Sequence, residues 1–211
     1  MATNQCLEGD RLKNHRFRTR TRSEVPISMT CDKSGFPCRR CRIVGPMDDC
    51  LVCGFGYRLE RAVESRRQIV RGVETLALIV RDLGSDVGRR RELHVWSPLE
   101  YSCHVRDVLI VQRERVLLAR RADNPTAVPM GRDERADHDG YSEQTGADVA
   151  IQLEQAGQLM ASALERLDNS DWERTLVYNY PDSAVRSLRW LAVHTQHEVE
   201  HHLLDVTRQL D

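Results

Sequence analysis

From Tyr57 to about Leu83, the apolar residues Leu59, Val63, Val70, Val73, Ile79, Val80 and Leu83 recur at intervals close to a helical turn, and Gly84 supplies a stop. The spacing predicts a first long helix. The next start is marked more sharply: Ser97-Pro98-Leu99-Glu100 combines an N-cap serine, a proline at the first helical position and a glutamate at the third. The helix it opens is expected to run to about Arg121. A third is predicted from about Ala147 to Leu167, carrying Val149, Leu153, Leu159, Met160, Leu164 and Leu167. The fourth follows Pro181-Asp182, with Asp182 capping a run from Ala184 nearly to the end. Between the second and third helices, residues 122–145 are rich in Asp, Arg, Gly and Pro and lack periodicity, and connections of that length often act as lids or linkers. Four long helices with two lengthy connections predict an all-α four-helix bundle over residues 57–211. No internal repeat at a solenoid period interrupts this reading.

Ahead of the bundle the texture changes. Residues 1–28 interleave Arg11, Lys13, Arg16, Arg18, Arg20 and Arg22 with polar residues and read as a basic disordered tail. Residues 29–56 form a small module punctuated by Cys, Gly and Pro. Cys38-Arg-Arg-Cys41 and Cys50-Leu-Val-Cys53 are two knuckles eight residues apart, and together they offer the four thiolates of a closed structural zinc site. Cys31 competes as a fifth ligand, and Gly54 suits the turn after the second knuckle. A redox role for one CxxC, or a phosphate-binding ribbon using Arg39, Arg40 and Arg42, are the other readings of the module. Cys6 belongs to the tail and Cys103 to a buried helix face.

Composition bounds what the chain does. Its 211 residues, 40% hydrophobic and 30% charged, suit one or two domains with their own core and exclude fibrous or wholly disordered chains. A formal charge of −1 predicts no general attraction to nucleic acid or to an acidic membrane. No apolar run approaches the roughly 18 residues of a membrane span, and the basic residues near the N-terminus have no hydrophobic h-region behind them, so the expected compartment is the cytoplasm. Only Lys13 and Lys33 are lysines, leaving 31 − 2 = 29 arginines, a bias that reads as high-GC coding.

The chemistry concentrates in the last helix, where His194, His197, His201 and His202 fall within nine residues, among them Glu198 and, just beyond, Asp205. Such a polar group inside a bundle is costly unless its members hold a metal or bond one another. Two i,i+4 pairs compete: His197 with His201, which formally reads HExxH, and Glu198 with His202. A helical wheel places Arg189, Gln196, Glu200 and Thr207 toward solvent and favours Glu198 and His202 as the inward pair, while His197 and His201 stay open as the alternative register. A peptidase of the HExxH type usually draws a third ligand from downstream, where only ten residues remain. An upstream third ligand is therefore expected, and His104 on the capped second helix is the candidate. Three protein ligands leave a position for water or substrate.

The segments Trp96-Ser97-Pro98-Leu99-Glu100-Tyr101-Ser102-Cys103-His104 and Glu198-Val199-Glu200-His201-His202-Leu203-Leu204-Asp205 resemble those of the DinB/YfiT-like superfamily. Within it they are most similar to the mycothiol-dependent enzymes such as maleylpyruvate isomerase. The resemblance covers about residues 57–210 and leaves the cysteine module outside. It implies a bundle holding a divalent ion, often zinc, beside a pocket for a low-molecular-weight thiol such as mycothiol. The expected activity is thiol transfer to a small electrophile, with His104, Glu198 and His202 as ligands and His194, His197, His201 and Asp205 orienting them or handling protons. Arg132, Asp133, Glu134 and Arg135 are candidate substrate contacts. The alternatives are a thiol-dependent isomerase or metal-dependent hydrolase on the same bundle, or a regulatory protein whose zinc module binds nucleic acid or a partner. Bundles of this kind readily pair, so a homodimer is compatible with the reading.

Overall fold

The computed structural model describes residues 49–180 and 182–210. The tail, Cys31, Cys38 and Cys41 lie outside the described residues. Among the described residues there are five α-helices: α1 (Ser65–Asp82), α2 (Pro98–Arg121), the short α3 (Arg132–His138), α4 (Gly146–Glu165) and α5 (Leu188–Thr207). A 3-10 turn, Leu59–Glu64, leads into α1. An antiparallel pair, β1 (Thr175–Tyr178) and β2 (Ala184–Ser187), precedes α5 in the register Thr175↔Ser187 to Tyr178↔Ala184.

Of the four long helices, α1 and α2 each pack against both α4 and α5, so α1 lies diagonal to α2 and α4 diagonal to α5, while α2 and α4 are neighbours. A diagonal step cannot be made by a tight turn. That geometry accounts for the long connections after α1 and α4; the β-pair lies in the connection between α4 and α5, and α3 in the one between the neighbouring α2 and α4. Ile69, Val73, Leu76 and Val80 of α1 meet Leu153, Met160 and Leu164 of α4, with Leu99, Leu109, Leu188, Leu191 and Val199 completing the core. Two glycines set how closely the helices approach. A Cβ on Gly72 would fall 2.6 Å from Val199 Cγ1, and one on Gly146 would fall 2.7 Å from the Val80 carbonyl oxygen.

The α2 start is built as the local pattern predicts. Ser97 Oγ accepts from the Glu100 amide at 3.2 Å, and the Glu100 carboxylate accepts from the Ser97 amide at 2.8 Å and from the Arg90 guanidinium. Burial pushes the Glu100 carboxyl up, but the bonds from Arg90 and Ser97 outweigh it and hold the group below its ordinary range. The stability this supplies is present above the unfolded carboxyl pKa of about 4.3 and is lost as pH falls through and below it. Ser97→Ala is expected to cost about 1 kcal/mol. Glu100→Gln is expected to melt below the wild type at pH 7, with the difference between the two melting temperatures shrinking as pH falls through the depressed folded-state pKa of Glu100.

The last helix starts later than the sequence predicts. Ser187, not Asp182, caps it, accepting from the Trp190 amide at 3.2 Å, and Ala184–Ser187 is a strand. The polar connection 122–145 holds α3 and a 3-10 turn at Tyr141–Glu143. Among the described residues, no helix is long and apolar enough to cross a membrane.

Candidate metal centre

Successive residues on α5 point about 100° apart, so its two i,i+4 pairs face different neighbours. Glu198 and His202 turn toward α2, where His104 presents its ring, and donor atoms of the three lie within 4.8 Å of one another. The His104 and His202 rings meet edge to face at 4.9 Å. Trp96 packs on His104 and Tyr101 stacks on His202, fixing both imidazoles from the α2 side. Asp205 Oδ2 lies 3.1 Å from His202 Nδ1, which fixes the tautomer and leaves Nε2, 3.7 Å from Glu198 Oε2, as the donor toward the centre.

His104 is only 4% exposed, and its Nδ1 is buried without a hydrogen-bond partner. A buried nitrogen left in that state is costly, which fits a donor set shaped for a cation rather than for itself. The electrostatics agree. Burial pulls the His104 imidazole down to about 3, helped by the neighbouring His202. Burial acts on His202 in the same sense, but the Asp205 and Glu198 carboxylates overcome it and push that ring up to about 9. The Glu198 carboxyl is held well below its ordinary range, because its bond to His202 and the fields of His194, His202 and His197 outweigh burial. At neutral pH the trio is thus an ionised carboxylate, a neutral ring and a ring whose proton a cation would replace.

The trio opens onto a cavity of about 410 Å³. Val108, Gln112 and Arg115 of α2 form one wall, Tyr178, Asn179 and Tyr180 another, and Pro129–Asp133 the roof. Arg132 lines this cavity and its guanidinium lies 5.2 Å from the Trp96 ring centre. Asp133 lines it too. Arg135 does not: it donates to the Met130 carbonyl at 2.9 Å and approaches Asp107 at 3.6 Å. Arg115 donates to Tyr178 Oη at 3.0 Å and to the Val128 carbonyl at 2.8 Å, while its buried Nε has no partner. Arg115, Gln112, Tyr178 and Asn179 carry no recognisable motif, and nothing local in the sequence marks them as cavity residues.

The other pair, His197 and His201, also faces inward, toward the segment that precedes the bundle. Tyr57 Oη lies 2.9 Å from both His194 Nδ1 and His197 Nδ1. His201 Nδ1 lies 3.8 Å from Cys50 Sγ. Burial pulls His197 down to about 3 and pushes the Cys53 thiol up to about 11. Within the knuckle predicted from sequence, Cys50 and Cys53 therefore sit beside α5, and the partners expected for them, Cys38 and Cys41, are outside the described residues.

A helical bundle whose facing helices gather two imidazoles and a carboxylate beside a cavity belongs to the class of bundle proteins with an inward-facing cluster of candidate metal ligands. Residues 68–206 match the DinB superfamily model, and the chain belongs to that superfamily. Its fold is similar to that of YfiT from Bacillus subtilis, described as a probable metal-dependent hydrolase with an unusual four-helix bundle topology. The likeness has a TM-score of 0.59 at 13% identity and covers 71% of this chain and 84% of YfiT. At that identity it is a likeness of fold. No curated protein matches the chain.

Proposed function

We propose that the chain is a metal-dependent hydrolase of small polar substrates, with His104, Glu198 and His202 holding the ion. The observation that carries this reading is the donor set itself: two imidazoles and one carboxylate, one imidazole nitrogen partnerless, on the floor of an accessible cavity. Two histidines and a glutamate are a ligand set of catalytic zinc sites that keep a position for water. The description of YfiT adds support from a protein of similar fold. When bound, a divalent ion supplies Lewis acidity and a water activated near neutral pH.

The chain's own residues supply the rest. Asp205 holds the His202 ring by its Nδ1 proton, so the ligand nitrogen stays aimed at the centre. Burial keeps His194 neutral at pH 7, and when Tyr57 donates its single proton to His194 Nδ1, the Nε2–H is a donor 3.8 Å from Glu198, at the cavity wall. That donor and the Arg115 guanidinium can stabilise negative charge that develops on a substrate oxygen. Arg115 Nε, Gln112 and Asn179 are polar groups suited to a substrate that carries a carboxylate or carbonyl.

Thiol transfer, which the sequence resemblance implies, would use the same three ligands with a coordinated sulfur. The two are separated by incubating zinc-, manganese- and nickel-loaded protein with a panel of esters, amides and electrophiles, with and without mycothiol, and analysing products by mass spectrometry. Products that gain water, without dependence on thiol, are expected. A persistent S-conjugate formed only with thiol would overturn hydrolysis in favour of transfer, and a rearranged product of unchanged mass would identify an isomerase.

A further inference from the structure

We propose that Cys50, Cys53, His197 and His201 form a second metal site, a closed zinc clamp that fastens the segment before the bundle to its last helix. One donor atom from each of the four lies within 4.8 Å of the others. Two sulfurs and two imidazole nitrogens are a tetrahedral zinc set, and four protein donors leave no position for a substrate.

The backbone around the cysteines is folded for this purpose. The Gly54 amide donates to the Cys50 carbonyl at 2.7 Å and the Cys50 amide to the Phe55 carbonyl at 2.8 Å, closing a tight turn that brings both thiols to one side. Gly54 takes φ +75°, a left-handed conformation that suits glycine. On the opposing side, His197 and His201 are one helical turn apart on α5. Each ring has one nitrogen engaged by a fixing group and the other turned to the site, as in metal-ligating histidines generally. His197 Nδ1 meets Tyr57 Oη at 2.9 Å, and its Nε2 is buried with no hydrogen-bond partner in a residue that is 0% exposed. His201 Nε2 faces Asp205 Oδ2 at 3.5 Å, and its Nδ1 faces Cys50. Like His104 Nδ1, the His197 nitrogen is orphaned in the interior, and it belongs to a different donor set.

The clamp has a consequence for the bundle. It holds Phe55 against the His197 ring and Tyr57 between His194 and His197, so the packing behind His194, which lines the cavity, is set by residues that precede the first helix. The two sites interleave on α5, each using one i,i+4 pair, and Asp205 reaches a ring of both.

The test is zinc content and X-ray absorption spectroscopy of the full-length chain, metal alone being the probe. Wild-type protein is expected to hold two zinc ions and to average one sulfur per zinc. His104→Ala is expected to keep one ion in a shell of two sulfurs at about 2.3 Å and two nitrogens at about 2.0 Å. Cys53→Ser is expected to lose that ion and, after cobalt substitution, the thiolate-to-cobalt charge-transfer band. A four-sulfur shell in the His104→Ala protein would transfer the ion to Cys38 and Cys41 and overturn the proposal, as would an ion in that protein with no sulfur around it or no ion at all. The sulfur count is also read on the wild type, where a four-sulfur shell would average two per zinc, so the clamp can be refuted even if a variant does not fold. Its sulfur shell is equally decisive if the chain proves not to be a hydrolase.

Discussion

Replacing His104 with alanine is expected to remove one divalent ion per chain and to lower kcat/KM by about 10³-fold or more, since an ion of this kind supplies several kcal/mol of transition-state stabilisation. His104 is the one member of the trio contributed by α2, whereas Glu198 and His202 both stand on α5. Without it two donors from a single helix remain, and binding to such a pair does not draw the two helices together. The fold is expected to persist, because the lost nitrogen was itself unpartnered and the neighbouring Trp96 and Tyr101 keep their packing. Asp205→Asn separates position from ligation. It keeps every ligand atom but weakens the anchor on His202 Nδ1, so metal affinity should fall about 10- to 100-fold. Added zinc should then restore activity to Asp205→Asn and fail to restore it to His104→Ala. Unchanged metal content in His104→Ala, measured by mass spectrometry of the purified protein, would remove that histidine from the site.

How much of this is legible in the sequence depends on the range of the interactions concerned. The start of α2 is readable because its cap involves Ser97, Pro98 and Glu100, all within one turn. The start of α5 is not. Asp182 has the chemistry of a cap, but Val185 and its neighbours pair with Thr175–Tyr178, and two four-residue strands are too short to show a period of their own. Buried faces are read with similar limits. Val63 and Leu159 fit the helical spacing yet are 60% and 52% exposed, while Ile69 and Leu76 fill the core. Spacing identifies a helix more securely than it identifies which of two neighbouring stripes meets its partner. The wheel that favours Glu198 and His202 over His197 and His201 assumes a single inward direction. The segment Cys50–Tyr57 covers a second side of α5, and that contact spans more than 130 positions of the chain. Tyr57, which joins His194 to His197, has no local signature for the same reason.

The largest stability effect is expected at Asp107, which no motif marks. Its carboxylate is buried, accepting from Arg106 Nε at 2.8 Å and from Tyr141 Oη at 2.7 Å, while Arg106 also donates to Gln144 and Gln152 at 2.6 Å. Burial and Asp107 together push the Tyr141 hydroxyl up, while burial pulls on the Arg106 guanidinium but its bond to Asp107 and that carboxylate's charge outweigh it and raise the group above its ordinary range. Asp107→Ala leaves a buried guanidinium without its counter-charge and a buried hydroxyl without its acceptor. Breaking a buried pair in this way costs about 3–5 kcal/mol, equivalent at this chain length to a fall in Tm of roughly 6–20 °C. Removing both charges is a different matter, since an apolar pair of similar volume is often neutral, so Arg106→Met combined with Asp107→Leu should recover much of the loss. The functional cost follows from where the network leads. Arg135 reaches Asp107 from α3, and Tyr141 and Gln144 hold the connection that continues from the cavity roof at Pro129–Asp133. The double variant should therefore recover Tm more fully than it recovers KM, because it restores packing without restoring the tie to Arg135. Equal recovery of both would show that the roof is held by other contacts.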